Sequence, residues 1–274
     1  MLYLIDHFKQ RSVRPTMEGY RLGEKDETAF VLDDRKVVVE WMMEVCYSEG
    51  VSMACFDHSV LLFDLFMTKI RGCLIRPRAQ LLAIACMLIS GKTLADQDDE
   101  YGVSIGRYIE LSNNSYRHRD VVEAEANILN LMGYDVFFPT SIEIAENLLL
   151  HRCRSFSRED TRRRLVFDTL RILLQSALNY EIRSTYTPYE LATAAIHISA
   201  RNQDYYIKNE SIFCLQALEK IGYEKHHEYY INAYMSRQRS CYDFTNVLKY
   251  GGLLGEKRSL TGEPKQKLRL ELFQ

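Results

Sequence analysis

The run Leu81-Leu82-Ala83-Ile84-Ala85-Cys86-Met87-Leu88-Ile89 is apolar on every face of a helix. A helix without a polar face must be surrounded by other elements. This run is shorter than a membrane span and ends in Ser90-Gly91-Lys92. It therefore predicts a helix over 77–92, opened by Pro77 near its first turn, at the centre of a bundle. Only five prolines punctuate the 274 residues, which favours long helices over a many-stranded sheet.

Other segments with helical hydrophobic spacing flank that centre. Residues 34–49 predict a helix with Asp33 or Asp34 as N-cap, Gly50 as stop, and an apolar stripe of Val37, Val38, Trp41, Met42 and Val45. Helices are expected over 55–70, 102–112 and 119–132, the last ended by Gly133. Phe138-Pro139-Thr140 breaks the pattern, which then restarts with candidate helices over 141–151, 160–179, 187–201, 210–221 and 226–241. The small-residue run Ala192–Ala200 is third in the second series, as the apolar run is third in the first. That parallel predicts an all-α fold of two tandem five-helix domains, over 34–138 and 139–248. An N-terminal extension (1–33) with at most one short helix would precede them, and a flexible C-terminal tail (249–274) would follow.

Composition excludes several functions. A net charge of -2 gives no whole-surface field for nucleic acid or membrane. The start, Met-Leu-Tyr-Leu-Ile-Asp-His, has no basic n-region, so no secretory signal is expected. The cysteines are odd in number (seven) and form no C-x-x-C pair, which predicts reduced, largely buried thiols. His226 and His227, adjacent on a helix, point about 100° apart with no second pair in reach, so no metal is expected. No Gly-rich phosphate loop and no G-x-S-x-G occur. No cofactor is called for, and a catalytic role is not expected.

Four charges lie within or at the ends of the apolar helices: Arg35, Asp64, Lys92 and Glu125. Burying a charge costs several kcal/mol unless it is paired. The residues alone leave two possibilities open, internal pairing or presentation to a partner. A further charged stretch, 152–171, holds seven arginines including Arg162, Arg163 and Arg164. It is a candidate phosphate contact or a solvated helix face, without the interleaved aromatics of a stacking platform.

Arg35 through Val45 resembles the opening helix of the cyclin box, and Leu62-Phe63-Asp64-Leu65-Phe66-Met67 is similar to the cyclin Leu-Asp-Arg-Phe-Leu element. Gln80 through Lys92 resembles the central helix that ends in a lysine, and Glu125 through Val136 the fifth helix and its exit. The resemblance covers 34–140, and the helix repeat extends it to about 245. It implies that Arg35 and Asp64 form a structural ion pair inside the box. It implies also that Lys92 and Glu125 hold the mobile C-helix of a cyclin-dependent kinase, with apolar contacts from Ile89, Leu129, Tyr134 and Val136. Such a partner shifts the kinase toward its active state by binding only the inward position of that helix.

A substrate-docking patch would map to Val37, Val38, Trp41 and Gln80, with Asp34 at an edge that is usually apolar. Thr93-Leu94-Ala95 follows Lys92 where cyclins carry an aromatic and acids, and Leu65 stands at the arginine of the Leu-Asp-Arg-Phe-Leu element. Trp41 through Cys46 resembles D-type cyclins. Residues 123–149 are more similar to divergent cyclins associated with meiotic crossover sites, the subgroup favoured here. The implied role is a non-catalytic kinase regulator in the nucleus, or also in the cytoplasm. Its substrates would belong to the cell cycle or to recombination, and direct nucleic-acid or membrane binding is not expected. The alternative is a kinase-free adaptor using 152–171.

Overall fold

The computed structural model describes residues 2–16, 20, 28–71, 73–94, 103–152 and 159–201, with the side chains of 2–5 and 150–163 excepted. Ten helices occur among them: α1 (Leu2–Arg11), α2 (Leu32–Glu49), α3 (Met53–Lys69), α4 (Ala79–Leu94), α5 (Ile105–Leu111), α6 (His118–Leu131), α7 (Ser141–Arg152), α8 (Glu159–Leu178), α9 (Tyr180–Thr185) and α10 (Pro188–Arg201). The described residues contain no strand beyond one antiparallel bridge, Ala29 to Ile75. The fold is all-α.

α4 is the hub of the first half, packed by α2, α3 and α6. Its residues Leu82 through Ser90 are all buried, as an apolar helix without a polar face requires. α10 holds the same place in the second half, packed by α7 and α8, and its Ala192, Ala194 and Ala195 let the neighbours approach closely. α2 and α3 also pack against α8, and α3 against α7, so the halves share one core.

Local chemistry sets the ends. Ser52 and Ser104 cap α3 and α5 by accepting from Cys55 N–H and Arg107 N–H, each at 3.2 Å. α2 begins earlier than expected: Val31 is its N-cap, and Asp34, three residues in, accepts from Val31 N–H at 2.9 Å. The acid thus works inside the first turn rather than as the cap. Gly50 ends α2 in the left-handed conformation at φ 72°. Pro77 lies in a 3-10 turn (Arg76–Arg78) just ahead of α4.

α1 docks through buried Phe8, and the short α9, capped by Asn179, follows α8 where no separate helix was expected. The expected helices over 210–221 and 226–241, and the tail 249–274, lie outside the described residues. Cys46, Cys55 and Cys86 are buried free thiols, and burial pushes the Cys55 thiol up to about 12. No described helix is long and apolar enough to cross a membrane.

Candidate protein-docking surface and the charges beneath it

α3 carries the first of the buried charges. Asp64 lies on its inner face, fully buried, and Arg35 of α2 reaches it with two parallel bonds: Nε to Oδ1 and Nη2 to Oδ2, both 2.7 Å. A planar guanidinium matches a carboxylate in that forked geometry. Arg35 also donates to the carbonyls of Ala177 and Leu178, each at 3.0 Å, and so caps the end of α8. Its guanidinium lies 5.2 Å from the Tyr180 ring centroid. Burial alone would lower the Arg35 pKa. The Asp64 carboxylate more than reverses that and holds it above the ordinary arginine value.

A second buried pair went unread in the sequence. Asp57, two turns earlier on α3, accepts from Arg183 Nη1 of α9 at 2.5 Å. Its other oxygen accepts from Ser141 Oγ at 2.7 Å and Ile142 N–H at 3.1 Å, at the start of α7. Arg183 Nε also lies 4.0 Å from Asp64 Oδ2. Two arginines and two aspartates thus form one buried, neutral network joining α2 and α3 to α7, α8 and α9. Asp57 sits in Cys-Phe-Asp-His, a run with no periodic signal to mark it. Its one sequence-level sign was an acid on a helix otherwise apolar nearly all round.

Lys92 and Glu125 meet at the surface. Lys92 Nζ lies 2.5 Å from Glu125 Oε1, with side-chain exposures of 61% and 13%, so the pair ties the last turn of α4 to α6 and remains reachable. Leu129 is half-buried one turn further along α6, on the Glu125 face. The helix then ends in a left-handed pair, Gly133 at φ 64° and Tyr134 at φ 60°. Tyr134 is 64% exposed, with its hydroxyl donating to Asn130 Oδ1 at 2.8 Å. Phe137 is 65% exposed, although no sequence signal separated it from its neighbours. Arg11 of α1 braces this exit through Asp135 at 3.2 Å and through the Phe137 carbonyl.

Several expected surface residues lie elsewhere. Ile89 and Val136 are core residues, buried against the bundle, so they offer a partner no side-chain surface. Val38, Trp41 and Gln80 are buried too, and Val37 is half-buried. The α2 stripe faces α3 and α4, and one stripe cannot both fill the core and form an open patch. Trp41 Nε1 is buried with no hydrogen-bond partner. Arg164 is exposed, while the side chains of Arg162 and Arg163 lie outside the described residues. Among the described residues no group of three His, Cys, Asp or Glu is placed to hold a metal.

In this all-α fold Arg35, Asp64, Asp57 and Arg183 are held in an internal network, while the Lys92–Glu125 pair, Tyr134 and Phe137 remain at the surface. Residues 4–137, just under half of the chain, match the family described as Cyclin, N-terminal domain. The chain is 25% identical to Cyclin-F of Xenopus tropicalis over 171 residues, covering 59% of this chain and 19% of that protein. It is 26% identical to Cyclin-A1-2 of Oryza sativa subsp. japonica over 186 residues, covering 68% and 36%. The chain thus spans only about a fifth to a third of the length of these relatives. In fold it is similar to a viral cyclin from herpesvirus saimiri, with a TM-score of 0.53 at 16% identity, covering 79% of this chain and 89% of that one.

Proposed function

We propose that the chain is a non-catalytic regulatory subunit that binds and activates a cyclin-dependent kinase. The observation that carries this reading is the surface from Lys92–Glu125 along α6 to Tyr134 and Phe137. Two partly exposed charges there orient a partner helix, and two exposed aromatics supply contact area. The pair's position at the rim supports this use. Paired with each other, the charges contribute only about 0.2–1 kcal/mol to the fold, so binding is the larger effect available to them. Glu125 and Lys92 can exchange this mutual bond for bonds to the kinase. The resemblance favours a nuclear setting, in cell-cycle control or in meiotic crossover formation.

The test is capture of kinases from a panel of purified cyclin-dependent kinases by the wild-type chain and by Lys92→Ala/Glu125→Ala. Capture by wild type alone is the expected result. Equal capture by the double variant removes the pair from the interface. Capture of no kinase by wild type rejects the reading in favour of a kinase-free adaptor.

A further inference from the structure

The segment that links α6 to α7, residues 132–140, carries the two exposed aromatics, yet it has no regular structure of its own. Two consecutive residues of α3 hold it. His58 is fully buried; its Nε2 lies 2.9 Å from the Val136 carbonyl and its Nδ1 2.8 Å from Ser90 Oγ on α4. Nε2–H donating to the carbonyl and Nδ1 accepting from the Ser90 hydroxyl satisfies both nitrogens of a neutral ring. The ring also stacks on Phe138, with centroids 4.7 Å apart and planes 14° from parallel. Beyond Phe138, Asp57 holds the linker's far end through Ser141 Oγ and Ile142 N–H, and it is itself held by Arg183.

Val136 and Phe138 are therefore pulled inward. In an extended chain, alternate residues point to opposite sides. Fixing 136 and 138 inside directs Phe137 outward, and the left-handed turn at Gly133–Tyr134 does the same for Tyr134. We propose that Asp57 and His58 act together as a clamp on the inter-repeat linker, positioning residues that present Tyr134 and Phe137 to the partner. Through Arg183 the clamp also ties that presentation to the seating of the second repeat. The presentation half of this inference rests on the kinase reading; the clamp itself does not.

Chymotrypsin cleaves after exposed tyrosine and phenylalanine and reads the linker directly. In native conditions, His58→Ala is expected to speed cleavage after Tyr134 and Phe137 by about tenfold or more, the factor carried by loss of about one hydrogen bond. His58→Gln has an amide that can donate to Val136 and accept from Ser90. It should restore cleavage to within about threefold of wild type. Ser90→Ala keeps the ring and removes one partner, and it carries the test should His58→Ala fail to fold. Leu173→Ala, a cavity in the second half, controls for general destabilisation and should not open these two bonds selectively.

Affinity for the captured kinase should fall with His58→Ala and return with His58→Gln. Unchanged cleavage at both bonds in folded His58→Ala and Ser90→Ala would overturn the clamp. A loosened linker with wild-type kinase affinity would overturn the positioning role. If the wild-type chain captures no kinase, only the kinase reading falls, and the cleavage pattern still decides the clamp.

Discussion

A buried histidine and a half-buried glutamate titrate in opposite directions between pH 4 and 7, and their separation is a quantitative test of the packing. Burial lowers the His58 pKa from 6.5 to about 4, against the opposing pull of the Val136 carbonyl and of Asp57. Burial raises Glu146 of α7 from 4.5 to about 7, and neighbouring Glu143 adds to the shift. For His58 the unfolded chain binds more protons in this window, so stability is complete above about pH 6.5 and is lost as the pH falls toward 4. For Glu146 the folded chain binds more protons, so stability is complete below about pH 4.5 and is lost as the pH rises through 7. From pH 8 to pH 5, at about 1.4 kcal/mol per pKa unit, His58 costs about 2 kcal/mol and Glu146 returns about 2.5 kcal/mol.

Wild type should therefore show little pH dependence from this pair, because the two contributions nearly cancel. Urea unfolding at pH 8 and pH 5 separates them. Relative to wild type, Glu146→Gln should lose about 2.5 kcal/mol more on going to pH 5, and His58→Gln about 2 kcal/mol less. Carboxylates other than Glu143 and Asp57, which couple to these two groups, contribute equally to all three proteins and drop out of the comparison. Glu146→Gln and wild type with parallel pH profiles would refute the desolvated placement of Glu146. A His58→Gln profile parallel to wild type would do the same for His58.

Asp64→Ala leaves Arg35 buried without its carboxylate and should destabilise by about 3–5 kcal/mol, read as a fall in thermal midpoint; an unchanged midpoint would show that the pair is not buried. Phe137→Ala removes a side chain that is 65% exposed, so it should leave the midpoint within about 2 °C of wild type yet weaken the captured kinase by about tenfold or more in a titration. Gly133→Ala has nothing within 4 Å of the added Cβ but sits at φ 64°, so its cost should be about 1 kcal/mol of backbone strain in chemical unfolding. A cost well above that would place an unseen neighbour there.

Helices were legible wherever a period or a stop residue was strong. The all-round apolar run of α4 announced its central place, and Gly50 and Gly133 marked helix ends because left-handed conformations favour glycine. α9 stayed hidden because six residues carry too little periodicity to separate it from α8. The Arg35 and Asp64 residues stood out as charges in apolar helices, but the cap that Arg35 places on the α8 carbonyls could not be read, because 142 residues separate Arg35 from Ala177. For the same reason Asp57 and Arg183 were missed as a pair. At the surface, the family resemblance implied outward contacts for Ile89 and Val136. Packing assigned them inward and put Phe137 out instead, since a residue next to a buried one is invisible to a pattern read one position off.

A buried network of two arginines and two aspartates is weak evidence for stability, since apolar replacements of similar shape often do as well. Its geometry suits orientation better. An apolar contact between the halves would tolerate sliding by an ångström or two, whereas forked bonds of 2.7 Å and a helix end capped by a guanidinium tolerate very little. The same α3 helix that carries Asp57 and Asp64 carries His58, so the element that sets the angle between the halves also sets the linker that displays Tyr134 and Phe137. Replacing all four charges by apolar residues would then be expected to keep a folded chain. The linker would lose its fixed display, and kinase affinity would fall more than stability does. A repacked chain with native affinity would instead assign the network to stability alone.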